Sequence, residues 1–145
     1  MNNLKLKNRN ILSILIVFAV TFFFTACSKK MRFETSAEAP AAQGAVKVKK
    51  DDNNNYKIDL NITRLTDPEK LNPPKNTYVV WMETDRDGTI KIGGLTTSSG
   101  IFSKTLKSSL ETVTPYQPVM FYITAENSKD VERPGFQTVL RTKHY

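Results

Sequence analysis

Cys27 and His144 are the only thiol and the only imidazole in the 145 residues, and with a handful of carboxylates they bound the chemistry open to this chain. Nucleophilic hydrolysis needs a histidine oriented by a carboxylate beside the attacking group. His144 is the second-last residue, where chains usually fray, and no Gly-x-Ser-x-Gly elbow occurs anywhere. Ser103 and Lys104 cannot act as a pair on a strand, because neighbouring side chains there point to opposite faces. Zinc draws on several Cys or His ligands, and only these two residues are on offer. Glu83, Asp85 and Asp87 could present oxygens to calcium, but Asp85-Arg86-Asp87-Gly88 reads first as a tight turn with Gly88 at positive φ. Asp51-Asp52-Asn53-Asn54-Asn55 lacks the alternate spacing and the closing bidentate Glu of a calcium loop. A glycosidase built from Glu83, Asp85, Glu111 or Glu126 would need a cleft holding two acids at a fixed separation. The expectation is a non-catalytic protein without metal or cofactor, and the reactive group that remains is the thiol of Cys27.

That thiol sits at a telling junction. Lys5, Lys7 and Arg9 form a positive start, 11–24 is an apolar run, and Phe24-Thr25-Ala26-Cys27 closes it with small residues before the cysteine. The layout is that of a secretory signal peptide spanning 1–26. It resembles a bacterial lipobox, in which cleavage between Ala26 and Cys27 follows acylation of the thiol. Palmitate-type chains on Cys27 would then anchor the protein. Phe24 stands where Leu is usual. A spanning helix needs about 20 apolar residues, more than this run offers before Cys27, Ser28, Lys29 and Lys30.

Place follows by the same resemblance. Ser28, not Asp, follows the cysteine, so the inner-membrane retention signal is missing. An acidic run that would direct export to the cell surface is missing too, since Lys29, Lys30 and Arg32 occupy that stretch. The expected location is the cell envelope, on the periplasmic face of the outer membrane. Of the net charge of +7, Lys5, Lys7 and Arg9 leave with the signal peptide. The remaining basic residues lie scattered among acids along the sequence, which is no nucleic-acid footprint. With Cys27 acylated no disulfide can form, so the fold must stand on its core.

From 27 to 55 the chain is poor in large apolar residues and rich in Ala, Lys, Asn and Gln, a flexible-tether composition. From 56 to 145 it reads as one small domain of strands. Tyr56, Ile58, Leu60 and Ile62 alternate with Lys57, Asp59, Asn61 and Thr63, as on a half-buried strand. Tyr78-Val79-Val80-Trp81-Met82 and Val119-Met120-Phe121-Tyr122-Ile123 are apolar on both faces and belong in the middle. Strands are also expected over 89–92, 100–106 and 136–142, with turns at Asn72-Pro73-Pro74, Gly93-Gly94, Ser98-Ser99-Gly100, Asn127-Ser128 and Pro134-Gly135. Asp67-Pro68-Glu69-Lys70-Leu71 offers a capped helical turn, and 106–113 carries a helix-like spacing of Leu106, Leu110 and Val113. Short strands at this spacing predict an all-β fold, a small antiparallel β-sandwich of immunoglobulin-like type.

The Tyr78-Val79-Val80-Trp81 strand, Lys91-Ile92-Gly93-Gly94-Leu95, Phe121-Tyr122-Ile123-Thr124-Ala125-Glu126, Pro134-Gly135 and Val139-Leu140 together resemble the C-terminal, extracytoplasmic domain of anti-sigma-K factors. The likeness covers about 77–140. It implies a β-sandwich in the envelope and supplies no catalytic residue. The sigma-factor-capturing domain and spanning helix of that family have no counterpart here, so sigma-factor capture is not carried over.

Aromatic side chains are the remaining clue. Trp81 and Phe121 read as core. Tyr116, Phe136 and Tyr145 lie in or beside turns and could present rings at one end of the sandwich to a sugar or a protein. The reading is a membrane-anchored interaction or accessory module with an envelope protein as partner. Its alternatives are a carbohydrate-binding lipoprotein and an envelope-stress sensor linked to anti-sigma signalling.

Overall fold

A computed structural model describes residues 28–99 and 106–144. Nine strands run β1 (Ser28–Arg32), β2 (Gln43–Lys50), β3 (Tyr56–Thr63), β4 (Thr77–Thr84), β5 (Thr89–Gly94), β6 (Thr96–Ser99), β7 (Leu106–Thr114), β8 (Pro118–Glu126) and β9 (Thr138–Arg141). They form two antiparallel sheets, β1-β2-β3-β7-β6 and β5-β4-β8-β9. Leaving β1 aside, this is the strand order of an immunoglobulin-like sandwich, as the sequence pattern predicts.

Period-two alternation decides which face each strand buries. On β3, Ile58, Leu60 and Ile62 are buried while Lys57 and Asn61 face water. On β4, Tyr78, Val80 and Met82 point into the core with Phe121, Ile123 and Ala125 of β8. The chain changes sheets between β5 and β6 at Leu95, which is buried and whose N–H donates to the Tyr78 carbonyl. The Asp67 segment is a single 3-10 turn with Pro68 at its start and the Asp67 side chain accepting from the Glu69 N–H. It is held against the sandwich by the Tyr78 hydroxyl, which donates to the Thr66 carbonyl at 2.8 Å. Burial, then the nearby Asp67 and Glu38, raise the pKa of that hydroxyl.

Three expectations are corrected. The segment 28–55 is no tether. Val46 and Val48 alternate with Lys47 and Lys49, so β2 has one apolar face, and it pairs along its whole length with β3. Met31, Ala39, Ala42, Val46 and Val48 all join the core. The Asp-Asn cluster is the β2–β3 turn, in which Asp51 Oδ1 accepts the N–H groups of Asn53 and Asn55 and Asn54 takes φ 64°. The domain therefore begins at Ser28 and not at Tyr56. The stretch from Leu106 to Val113 is strand β7, not helix. A spacing of four also suits a strand, and pairing with β3 from Lys107 to Thr114 decides it. Ser98 and Ser99, expected in a turn with Gly100, belong instead to strand β6 on the five-stranded sheet. The strand expected over 100–105 and the Ser103-Lys104 pair lie outside the described residues.

The β4–β5 hairpin turns as expected. Gly88 has φ +70° and its carbonyl accepts from both the N–H and the hydroxyl of Thr84. Gly88→Ala is expected to cost about 1 kcal/mol through the left-handed backbone alone, since a Cβ there would meet no neighbour. A thermal melt checks it; an unchanged midpoint would mean that the turn relaxes.

Candidate functional site

Part of the outer face of the four-stranded sheet, around Val79 and Trp81, is closed by the chain itself. Val79 and Trp81 point away from the inter-sheet core yet are 0% and 1% exposed. Their cover is the β8–β9 connection, which returns across this face. Trp81 Nε1–H donates to Thr124 Oγ1 at 2.8 Å, the Thr124 hydroxyl donates to Glu126 Oε1 at 2.6 Å, and Gly135 N–H donates to the same oxygen at 2.7 Å. A Cβ on Gly135 would lie 2.8 Å from the Glu126 carboxylate, so only glycine lets the loop come this close. Lys91 Nζ adds a bond to the Lys129 carbonyl at 3.3 Å. Trp81, Thr124, Glu126 and Gly135, far apart in sequence, are thus one buried polar chain that fastens the loop. Trp81 offers no ring to a ligand.

The aromatic residues singled out from the sequence do not gather. Tyr116 is 41% exposed in the β7–β8 turn, and Phe136 is fully exposed before β9. Tyr116 precedes β8, whereas Phe136 lies beside its far end, where Ala125 N–H donates to the Gln137 carbonyl. With β8 nine residues long, the two ends are roughly 25 Å apart at the usual rise per residue. The expectation of rings clustered at one end is corrected: the turns containing them close opposite ends of the sandwich. Tyr145, Ala26 and Cys27 lie outside the described residues. His144 Nε2 stands 3.6 Å from Glu83 Oε2 at the surface. Among the described residues no three His, Cys, Asp or Glu side chains converge as metal ligands would.

A feature that linear charge counting misses is the outer face of the five-stranded sheet. Register places Ser28, Lys49, Lys57 and Val113 in one row across β1, β2, β3 and β7. The next row on that face is Lys30, Lys47, Asp59 and Glu111, and the next begins with Arg32. Lysines scattered in sequence are therefore gathered by strand pairing, which corrects the impression of dispersed charge. Lys30, Lys47, Lys49 and Lys57 are all exposed. Neither of the two ion pairs found among the described residues involves them. Beside this face, along the free edge of β1, runs an open groove of about 530 Å³ whose lining includes Lys30, Arg32, Glu34, Lys143 and His144. The groove exists because the chain beyond β1 crosses to the other sheet: Phe33 bridges Thr142, and Glu34 N–H donates to the Arg141 carbonyl at 2.8 Å.

No known protein family, curated protein or solved structure matches this chain. The sandwich presents a partly covered outer face on one sheet and a basic, open face on the other that starts at the residue following Cys27. Such a face can hold phosphate or carboxylate groups by charge.

Proposed function

We propose that this chain is a lipid-anchored, non-catalytic lipoprotein of the bacterial cell envelope, carried on the periplasmic side of the outer membrane and acting as an interaction or accessory module for an envelope protein. The observation that carries this reading is the junction at Cys27. A basic start, an apolar run and small residues lead to the one thiol, and strand β1 begins at the very next residue. Acylation there would join lipid to a folded sheet with no spacer between. Holding a binding domain on the bilayer raises its effective concentration toward partners at the same surface. The carbohydrate reading loses Trp81 to burial and keeps Tyr116 and Phe136, which stand too far apart to share one sugar.

Metabolic labelling with palmitate tests the anchor. The wild-type chain is expected to take up label and sediment with membranes. Cys27→Ala should abolish the label and leave the leader uncleaved. Acylation that persists in that variant would sink the proposal. Crosslinking in living cells, with the chain tagged at its C-terminus, would then name the partner; capture of glycan alone would replace the protein-module reading.

A further inference from the structure

We infer that the outer face of the five-stranded sheet lies flat against an anionic bilayer, with Lys30, Lys47, Lys49 and Lys57 among the lipid phosphates. This rests on the anchored reading above and extends it from a point of attachment to an orientation. Lys49 faces Lys57 and Lys30 faces Lys47 directly across neighbouring strands. Side chains so placed are about 5 Å apart at the Cβ atoms, and like charges there repel. Asp59 and Glu111 are the acids on these rows, fewer than the lysines, and neither forms an ion pair with them. A layer of phosphates would relieve that repulsion.

Geometry favours this face over its neighbours. Standing the domain on the end nearest Cys27 would bring Asp51 and Asp52 of the β2–β3 turn, with Asp85 and Asp87 of the β4–β5 turn, down onto the headgroups. The opposite sheet is partly covered by the β8–β9 loop, and what stays open beside Tyr122 carries Glu83 as well as Arg141. The basic face is open and in register with the attachment point, since Ser28 sits in the same row as Lys49 and Lys57. Exposed Val113, 59% accessible, completes that row as an apolar contact for the interface. With no tether, Lys49 and Lys57, one and two strands from Ser28, lie within about 10 Å of it at the usual strand spacing, the screening distance at 0.1 M salt.

The test uses the acylated full chain bound to vesicles of phosphatidylcholine, alone or with one third phosphatidylglycerol. A membrane-impermeant amine reagent is added and each lysine is read by mass spectrometry. One basic side chain at an anionic surface is favoured by a factor of about five, so Lys30, Lys47, Lys49 and Lys57 should label about fivefold more slowly on the anionic vesicles. Lys70 and Lys129, on other surfaces, should label equally on both. The contrast should vanish in 1 M salt, where screening acts within about 3 Å. The exposed triple variant Lys47→Gln/Lys49→Gln/Lys57→Gln should keep floating with either vesicle while Lys30 loses its protection. Equal labelling of the four lysines on both vesicles overturns the inference and leaves the anchor standing. Protection in intact cells without protection on vesicles also overturns it, because an acidic protein then covers the face. A chain that floats only with anionic vesicles would keep the face and lose the anchor.

Discussion

Val46→Asp is expected to unfold the whole domain, although Val46 lies in a segment with the composition of a linker. Val46 is 0% exposed and sits opposite Leu60 on the inner face of the sheet. An unpaired carboxylate there loses its hydration without gaining a partner, a penalty of several kcal/mol. Domains of this size have about 5–15 kcal/mol of stability in total. Lys47→Gln, one residue away on the wet face, should change stability by no more than about 0.5 kcal/mol. Circular dichroism and limited proteolysis of the two variants separate the cases. A folded, protease-resistant Val46→Asp domain would restore the tether and remove β1 and β2 from the core.

Trp81→Ala is the second large effect expected, a loss of about 3–5 kcal/mol in urea unfolding. The indole fills the space between the sheet and the β8–β9 loop, so its removal leaves a cavity and takes away the donor to Thr124. Thr124→Val keeps the volume but replaces the hydroxyl by a methyl, stranding the indole N–H and removing the bond to Glu126, at a cost of about 1–3 kcal/mol. Hydrogen exchange gives a finer reading. If the chain from Trp81 to Gly135 fastens the loop, the Gly135 amide should exchange faster in either variant while the Ile123 amide in mid-strand changes only with global stability. Equal acceleration at both amides would show that Trp81 merely contributes bulk.

Strict alternation identified β3 to the residue, because one of its faces meets the core and the other meets water. Two apolar faces on 78–82 and 119–123 correctly placed β4 and β8 in the middle, but the reason emerges only in three dimensions: a loop, and not a third sheet, covers the second face. β1 and β2 were missed because Val46 and Val48 are a short signal diluted by Ala, Lys and Gln. What makes them strands is pairing with β3, a tertiary fact. The basic face was invisible for a related reason. Lys30, Lys47, Lys49 and Lys57 come from three strands, and only register brings them together. The proposal for Cys27 rests on local sequence alone, a thiol behind an apolar run, and the residue lies outside the described ones.

The staple between the two ends of the chain has a mechanical meaning. β1 is an edge strand, bonded on one side to β2 over 28–32 and 45–49, and beyond it Phe33 and Glu34 grip the end of the opposite sheet. Tension arriving at Ser28 along the strand axis would load the β1–β2 bonds in shear, all at once, since antiparallel bonds lie perpendicular to that axis. The same pull would reach both sheets through the Phe33–Thr142 bridge. A domain hung from its first residue would thus resist peeling by sharing the force across the sandwich, where a freely jointed linker would have absorbed it as slack.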